Sequence, residues 1–282
     1  MGAATAYGFE EISSDIGVRQ AEVELMHAAF PHATKYSYEY LRWEYDSNPF
    51  GSVVGFDAYL SNTLSAHYAT QPMEARLFGA KAKGLLSFNT ATHPDHQGHG
   101  LFTHLARRTY ERAASLGYEF VVGVANQQST PGFLSKLGFQ LVAPLHVSVG
   151  FGEPSDQRGS DAEFERLWTV ESRKWRSANP ARSYYNIHGR IACSGDIPGA
   201  KVLLSSTDWS DCGIHSKSFE WTHPMTVWLG LPAPLRWMGR ALPLPTALRP
   251  SPLNLIFLDL TSKSRTLDPA RVCFNAIDFD AY

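Results

Sequence analysis

A turn with two glycines joins a strand pattern to the strongest helix pattern in the sequence, and this junction constrains the fold most. The turn reads His93-Pro94-Asp95-His96-Gln97-Gly98-His99-Gly100-Leu101-Phe102. Apolar residues then recur at intervals of three and four through Leu116, and Gly117 stands where a helix ends. The run 120–124 is rich in valine, which is typical of a strand buried on both faces. Strand, helix and strand in this order predict a right-handed βαβ unit with two parallel strands.

The other segments also alternate between helix and strand patterns. Helix patterns cover 18–30 and 155–180, an aromatic-rich segment covers 36–45, and strand patterns cover 53–59, 64–70, 83–92, 201–205, 255–260 and 272–279. Seven of the 17 prolines lie between Pro224 and Pro252. We interpret that stretch as an excursion that covers the core rather than as a partner or membrane-surface patch, because exposed patches this apolar are uncommon.

A short pattern occurs once in each half of the chain. Trp43-Glu44-Tyr45-Asp46-Ser47-Asn48-Pro49 is echoed by Trp175-Arg176-Ser177-Ala178-Asn179-Pro180. Duplication and coincidence explain this echo equally well. We therefore expect a mixed α/β fold with a mixed twisted sheet in a domain 1–150, and a smaller α+β half 151–282 that is a candidate degenerate copy.

The composition indicates a compact globule without a general affinity for polyanions. The 282 residues are 44% hydrophobic and 18% charged, with a formal net charge of −2, which gives no attraction to nucleic acid or anionic membranes. The three cysteines favour reduced thiols, and Cys212-x-x-His215 lacks a second half at metal-ligand spacing, so we expect no metal site. We see no secretory signal and no membrane span, and expect a cytoplasmic protein.

The glycine turn can hold an anion. Glycines allow a sharp turn, and the free N–H groups of the first helical turn, together with the helix dipole, can bind a pyrophosphate. After the second parallel strand come Asn126 and Phe133-Leu134-Ser135-Lys136-Leu137-Gly138-Phe139. This ordered set, from 80 to 142, resembles the GNAT acyltransferase superfamily. Phe102 departs from the pattern, since the family prefers glycine or alanine there.

The resemblance implies a coenzyme A thioester as cosubstrate, with an acetyl or short hydroxyacyl group. It places the pyrophosphate on the main chain of the turn and the pantetheine arm along a splayed strand edge, with Asn126 nearby. The implied coenzyme-binding residues are Ser87, Phe88, Asn89, Thr90, Ala91, Gln97, Gly98, His99, Gly100, Leu101, Phe102 and Asn126.

The resemblance also implies direct attack by an amine, but the sequence leaves the proton transfers open. Leu134 replaces the tyrosine that usually protonates the thiolate. Ser129 is an alternative donor, although it fits better as the cap of a helix 131–137. His67 is the candidate base or a relay to it, against the commoner role of a core histidine. Asn89, which we expect on the same sheet face as Ser87 and Ala91, could hold the acyl carbonyl.

The acceptor is expected to be a small-molecule amine. The first segment and the helix start resemble the branch that acylates surface-polysaccharide sugars, which implies a nucleotide-linked amino sugar. The alternatives are an aminoglycoside-type antibiotic or a protein lysine, although Glu39, Glu44 and Asp46 are few acidic residues for a polycationic acceptor. A coenzyme A binding module without turnover is the alternative from another class. A homodimer is compatible with the sequence. We expect residues 151–282 to complete the acceptor pocket, with Lys174, Arg176 and Arg182 as donors to a diphosphate.

Overall fold

The computed structural model describes residues 7–154, 161–195, 198–205, 208–212, 223–232, 237–245 and 252–279. The α-helices are α1 Ile16–Ala29, α2 Tyr38–Asp46, α3 Leu101–Ser115, α4 Thr130–Leu137 and α5 Val170–Ser177. The strands are β1 Gly8–Glu11, β2 Val54–Leu60, β3 Thr63–Leu77, β4 Ala80–Thr92, β5 Phe120–Ala125, β6 Gln140–Pro144, β7 His146–Pro154, β8 Phe164–Leu167, β9 Tyr185–Ile187, β10 Arg190–Ser194, β11 Ala200–Leu203, β12 Met225–Leu231, β13 Trp237–Pro243, β14 Asn254–Asp259 and β15 Val272–Asn275. None of these helices is long and apolar enough to cross a membrane.

The first half of the chain contains the predicted βαβ unit. β2, β3 and β4 pair antiparallel in sequence order, and β5 then pairs parallel to β4 after the crossover through α3. α3 packs on one face of the sheet, where Leu105 joins the same core cluster as Tyr68 and Val121, while α1 and α2 cover the other face. The mixed α/β fold expected from the sequence is confirmed.

The second half repeats this strand order. β9, β10 and β11 pair antiparallel, and β12 then pairs parallel to β11. The halves also exchange a strand. β14 of the second half pairs with both β5 and β6, and β7 of the first half pairs with both β12 and β13. One apolar core consequently runs between the halves, from Phe120 and Val122 to Ile191 and Phe274. The division near residue 150 stays a prediction.

The two copies of the repeated tryptophan pattern meet at a symmetric contact between the halves. Trp43 of α2 and Trp175 of α5 stack at 5.1 Å between ring centroids. Each indole N–H donates to the main-chain carbonyl of the other tryptophan, at 2.9 Å from Trp43 Nε1 and 3.0 Å from Trp175 Nε1. In both copies the following asparagine, Asn48 or Asn179, accepts a hydrogen bond from the main-chain N–H two residues later. The repeated strand order and this paired contact favour duplication over coincidence.

The structure corrects one element prediction and adds strands to the proline-rich stretch. Residues 155–180 are not one helix, because 164–167 form β8, which pairs with the end of β3 and with β15. That tertiary pairing outweighs the local helix pattern; residues 155–160 lie outside the described part. In the proline-rich stretch, β12 and β13 pair with β7. Trp228 and Leu231 are buried there, so the core-covering interpretation holds for these residues.

The paired tryptophans predict a large contribution to stability. Trp175→Ala removes a buried ring and the indole bond to the Trp43 carbonyl, and should lower the free energy of unfolding by about 3–5 kcal/mol. Trp175→Phe keeps an aromatic ring but leaves the Trp43 carbonyl without its donor, at a cost of about 1–2 kcal/mol. Urea unfolding measures both values.

Trp237→Phe is the matched control for the indole bond. It also removes one indole to carbonyl hydrogen bond, from Trp237 to Phe151, but at an exposed site, so it should cost less than about 0.5 kcal/mol. Equal losses in Trp237→Phe and Trp175→Phe would contradict a special role for the buried pair.

Candidate active site

The two parallel strands part in the middle of the sheet. β4 and β5 pair from Gly84 and Phe120 as far as Ser87 and Gly123, although β4 continues to Thr92. Asn89 lies at a bulge in β4, with φ +40°, where the register with β3 shifts by one residue. A bulge bends its strand and increases the local twist. The edge of β4 that faces β5 is therefore open beyond Ser87, as the resemblance implied.

A cleft of about 610 Å³ opens at this point. Its lining comes from β4, from the start of α3, from the segment between β5 and α4, and from three residues far away in sequence. The lining residues are Phe30, Ser87, Phe88, Asn89, Thr90, Phe102, Val124, Asn126, Gln128, Ser129, Gly132, Phe133, Leu253 and Phe279. Of the three predicted catalytic residues, Asn89 and Ser129 line the cleft and His67 does not.

The predicted common face of Ser87, Asn89 and Ala91 is wrong. The Ser87 hydroxyl is 2.8 Å from the Tyr68 hydroxyl, on the side of α3. Asn89 and Ala91 lie on the other side, toward α1 and α2. The bulge at Asn89 shifts the alternation of side chains by one residue, which a strict two-residue period cannot anticipate.

The glycine turn leads into α3 at one end of the cleft. Gly98 and Gly100 have φ values of +81° and +72°, a conformation that side chains disfavour. A Cβ at either position would meet no atom of the described residues within 4 Å, so the space around the turn is open. Because α3 begins at Leu101, its first-turn N–H groups have no preceding helical carbonyl to bind. The turn can therefore present main-chain donors to an anion.

Phe102, the departure from the family pattern, is accommodated by α4. Its ring lies 5.0 Å from the Phe133 ring in an edge-to-face contact. A Cβ on Gly132 would lie 3.1 Å from the Phe102 ring, so the small residue at 132 leaves room for the large one at 102. Phe102 thus narrows the cleft between α3 and α4.

The segment after β5 is held by Asn126 and Ser129. Asn126 Oδ1 accepts from the main-chain N–H of Gln128 and of Ser129, at 3.0 and 2.9 Å. The Ser129 hydroxyl accepts from the Asn126 N–H at 3.1 Å. Ser129 occupies the N-cap position of α4, but its side chain makes no cap hydrogen bond to that helix. The cap interpretation is correct for the position of Ser129 and wrong for its hydroxyl, which closes the turn instead.

His67 belongs to a buried cluster of charged groups. Its Nδ1 lies 2.6 Å from Asp57 Oδ1, and its Nε2 lies 2.9 Å from the Tyr45 hydroxyl. The Arg19 guanidinium bonds Glu22 at 2.5 Å and lies 4.6 Å from the centre of the Tyr45 ring. His67 is 0% exposed. Both ring nitrogens are thus engaged, and Tyr45 stands between His67 and the cleft.

Donor atoms of Glu22, Asp57 and His67 lie within 4.8 Å of one another, a spacing that a metal ion could also use. However, Arg19 already bonds one Glu22 oxygen. His67 and Asp57 bond each other directly, so these two donor atoms are already paired. The other Glu22 oxygen is buried and has no hydrogen-bond partner within the described part of the chain. These contacts fit a proton-sharing cluster better than a metal centre.

Burial raises the pKa of Glu22 to about 7. For His67, burial lowers the pKa, but the Asp57 charge and hydrogen bond outweigh it and raise the pKa above 6.5. Burial also raises the pKa of Tyr45 well above 10, with the negative charges of Glu22 and Glu44 acting in the same direction. The cluster thus holds protons more tightly in the folded state than in the unfolded chain.

The end of the cleft toward α1 and α2 has its own polar network. Asn89 Nδ2 donates to Glu44 Oε2 at 2.7 Å, and Asn89 Oδ1 accepts from the Tyr36 hydroxyl at 3.2 Å. Glu44 Oε1 accepts from the Tyr40 hydroxyl at 3.1 Å. The sequence signals for this network were the many aromatic residues in 36–45 and the acidic Glu44 within the same segment.

Two cleft residues come from the second half, and no local motif marked them. Leu253 precedes β14, and Phe279 follows β15. Arg176 is buried and donates to the Phe279 carbonyl at 3.1 Å. The guanidinium of Arg176 thus holds Phe279, which differs from the expected role of Arg176 as a diphosphate donor.

The buried cluster predicts a pH dependence of stability. Because the pKa of Glu22 rises from 4.5 to about 7 on folding, the folded protein binds more protons between these values. The free energy of unfolding should therefore fall as the pH rises through this window, and the raised pKa of His67 extends the fall above 6.5. Urea unfolding between pH 5 and 8 should show a loss on the order of 2 kcal/mol.

Glu22→Gln should flatten the slope of the unfolding free energy against pH, because glutamine does not titrate. Glu11→Gln removes a carboxylate from an exposed ion pair with Arg112 and should leave the slope unchanged. A Glu22→Gln slope equal to that of the unaltered protein would show that Glu22 does not titrate in this window.

A family model matches part of the chain. Residues 18–142 match the model of the Acetyltransferase (GNAT) domain. None of the curated proteins compared with the chain matches it.

Solved structures resemble the chain over most of its length. The GCN5-related N-acetyltransferase from Kribbella flavida aligns with 91% of this chain and 72% of its own, at 11% identity and a TM-score of 0.59. The GCN5-related N-acetyltransferase from Anabaena variabilis aligns with 90% of this chain and 73% of its own, at 11% identity and a TM-score of 0.56. Eis1 from Mycobacterium abscessus aligns with 90% of this chain and 74% of its own, at 9% identity and a TM-score of 0.54. At these identities the likeness concerns the fold. The family model thus covers the residues that build the cleft from β4 to α4, and the solved structures share the fold.

Proposed function

We propose that the chain transfers an acyl group from a coenzyme A thioester to a primary amine. The observation that carries this proposal is the open edge of β4 beyond Ser87, which lies beside the first turn of α3 in the same cleft. Such an edge can pair with an extended amide-containing arm, as a peptide adds to a sheet. The adjacent helix start can bind the anionic end of the same molecule. The match of residues 18–142 to the Acetyltransferase (GNAT) domain model is consistent with coenzyme A binding in this cleft.

The residues present fit the coenzyme at both ends. Main-chain N–H groups of 98–102 would hold the pyrophosphate, and the strand edge 87–91 would pair with the pantetheine arm. Phe102 and Phe133 would border the arm, and Asn126 and Ser129 face the same space. The thioester supplies an activated acyl carbon, and the cleft orients it.

An amine that arrives as an ammonium ion must first release one proton to solvent. The neutral nitrogen then forms the new C–N bond, the C–S bond breaks, the nitrogen loses a second proton, and the sulfur gains one. Leu134 cannot protonate the sulfur. The Ser129 hydroxyl lines the cleft and is our proposed donor to it. His67 reaches the cleft through Tyr45 and Asn89, so we assign it to positioning rather than to contact with the amine.

We further propose a nucleotide-linked amino sugar as the acceptor, bound at the end of the cleft toward α1 and α2, which we call the acceptor end. The aromatic residues Phe30 and Phe88 support this proposal, together with Leu253 and Phe279 from the second half. An aminoglycoside-type or protein-lysine acceptor is the alternative within the same chemistry. A coenzyme A binding module without turnover is the alternative outside it.

The coenzyme site is tested by Gly100→Glu. A glutamate at 100 places a negative charge where the pyrophosphate should bind, and should abolish thermal stabilisation by coenzyme A. Gly79→Glu is a matched control, since Gly79 also has a positive φ, +80°, and open space around its Cα, but lies at the turn between β3 and β4. Gly79→Glu should retain the stabilisation. Equal stabilisation of both variants would place the coenzyme elsewhere.

Turnover is tested with acetyl-coenzyme A and a panel of amines. Thiol release with a mass shift on one amine separates an enzyme from a binding module. We expect release with a nucleotide-linked amino sugar. Thiol release with an aminoglycoside or a lysine peptide, and not with the amino sugar, would show that the acceptor is that amine and not a nucleotide-linked sugar. Coenzyme A binding without release on any amine would support the binding module.

A further inference from the structure

We propose that Glu44 is the positioning residue that gives the acceptor end of the cleft its preference for a cation, acting through Asn89. This inference rests on the proposed function and extends it to the recognition of the amine. Glu44 is 1% exposed and does not line the cleft, whereas Asn89 does. The negative charge of Glu44 thus lies one hydrogen bond, of 2.7 Å, behind the cleft wall.

The contacts of Glu44 are those of an ionised carboxylate. One oxygen accepts from Asn89 and the other accepts from the Tyr40 hydroxyl. Hydrogen bonds donated to both oxygens stabilise the ionised form of a carboxyl group. Its charge is screened weakly, because side chains rather than water surround it. The charge therefore acts on whatever group approaches Asn89.

The Asn89 side chain is fixed at both of its ends. Tyr36 donates to the amide oxygen, and Glu44 accepts from the amide nitrogen, which together set the orientation of the amide. The backbone at Asn89 is in the left-handed region, with φ +40°, which asparagine tolerates better than most residues. Glu44 and Tyr36 thus fix the direction in which the Asn89 amide faces the cleft.

The aromatic side chains beside Glu44 already face a cation. The Lys35 ammonium lies 5.3 Å from the centre of the Tyr36 ring and 5.5 Å from that of Tyr40. Phe30, which lines the cleft, lies 6.1 Å from Tyr36. Aromatic faces attract cations. Lys35 already occupies these ring faces, so the buried carboxylate behind Asn89 is the feature that favours an acceptor that arrives as an ammonium ion.

The test compares an amine with its alcohol, which differs mainly in charge. The pairs are glucosamine with glucose and tyramine with tyrosol, and binding is measured by ligand-detected NMR without coenzyme. The unaltered protein should prefer the amine of at least one pair. Glu44→Gln keeps the size of the side chain and removes its charge, so it should reduce that preference by about 10- to 100-fold. Glu39→Gln, a change at the other glutamate of the same helix, should not.

A double variant separates charge from shape. When Glu44→Gln is combined with Asn89→Asp, the glutamine amide can donate to the new carboxylate at position 89. Tyr36 can still donate to that carboxylate, and Tyr40 can still donate to the glutamine oxygen. These three hydrogen bonds are kept, and the charge moves to the cleft wall. The double variant should recover the preference for the amine to within about threefold of the unaltered protein.

Coenzyme A affinity is the control for the integrity of the cleft. Because Glu44 lies behind the acceptor end and not beside the glycine turn, Glu44→Gln should bind coenzyme A with a dissociation constant within about twofold of that of the unaltered protein. Isothermal titration calorimetry measures this value for both proteins.

The outcomes separate this inference from the proposed function. An unchanged amine preference in Glu44→Gln, or its absence in the unaltered protein, would overturn the role of Glu44. Loss of coenzyme A affinity in Glu44→Gln would do the same, by showing that Glu44 supports the whole cleft. Failure of the unaltered protein to bind coenzyme A would overturn the proposed function, while the comparison of amine with alcohol would still test Glu44.

Discussion

The loss of pairing between β4 and β5 beyond Ser87 is the constraint on which the site depends. Parallel strands inside a sheet normally satisfy both of their edges, and an open edge costs free energy unless another group pairs with it. Here β3 holds the far edge of β4 along its whole length, while the bulge at Asn89 turns β4 away from β5. The strand is therefore fixed on one side and available on the other. The same parting leaves the start of α3 and the segment before α4 facing each other across the cleft.

The exchange of β7 and β14 makes the second half part of this site rather than an appendage. β14 completes the sheet beside β5, and Leu253, just before it, is brought to the cleft. Arg176 of α5 holds Phe279 there. The stacked Trp43 and Trp175 tie α2 to α5. A change in the contact between the halves would therefore reach the cleft through residues of both.

Local patterns in the sequence predicted the elements whose stability is local. The helix after Gly100 is an example: its apolar period and terminal glycine place it correctly at 101–115. Features set by distant contacts were not predictable in this way. β8 exists because β3 and β15 flank it, and no period reveals the bulge at Asn89. His67 was a reasonable base by residue type alone, but its burial between Asp57 and Tyr45 depends on three elements meeting. Glu44 was a residue without a role until Asn89 was placed beside it.

The two ends of the cleft are built by different means, and this has a consequence for specificity. The end that we assign to the coenzyme uses main-chain groups of the turn 97–102, which most side-chain changes leave intact. The end that we assign to the acceptor uses side chains of α2 and Asn89, and these continue through Tyr45 to the buried cluster of His67. Buried polar networks of this kind become rigid when each member is satisfied. A new acceptor thus requires changes in α2 that keep Asn89 oriented, whereas the coenzyme end can stay constant.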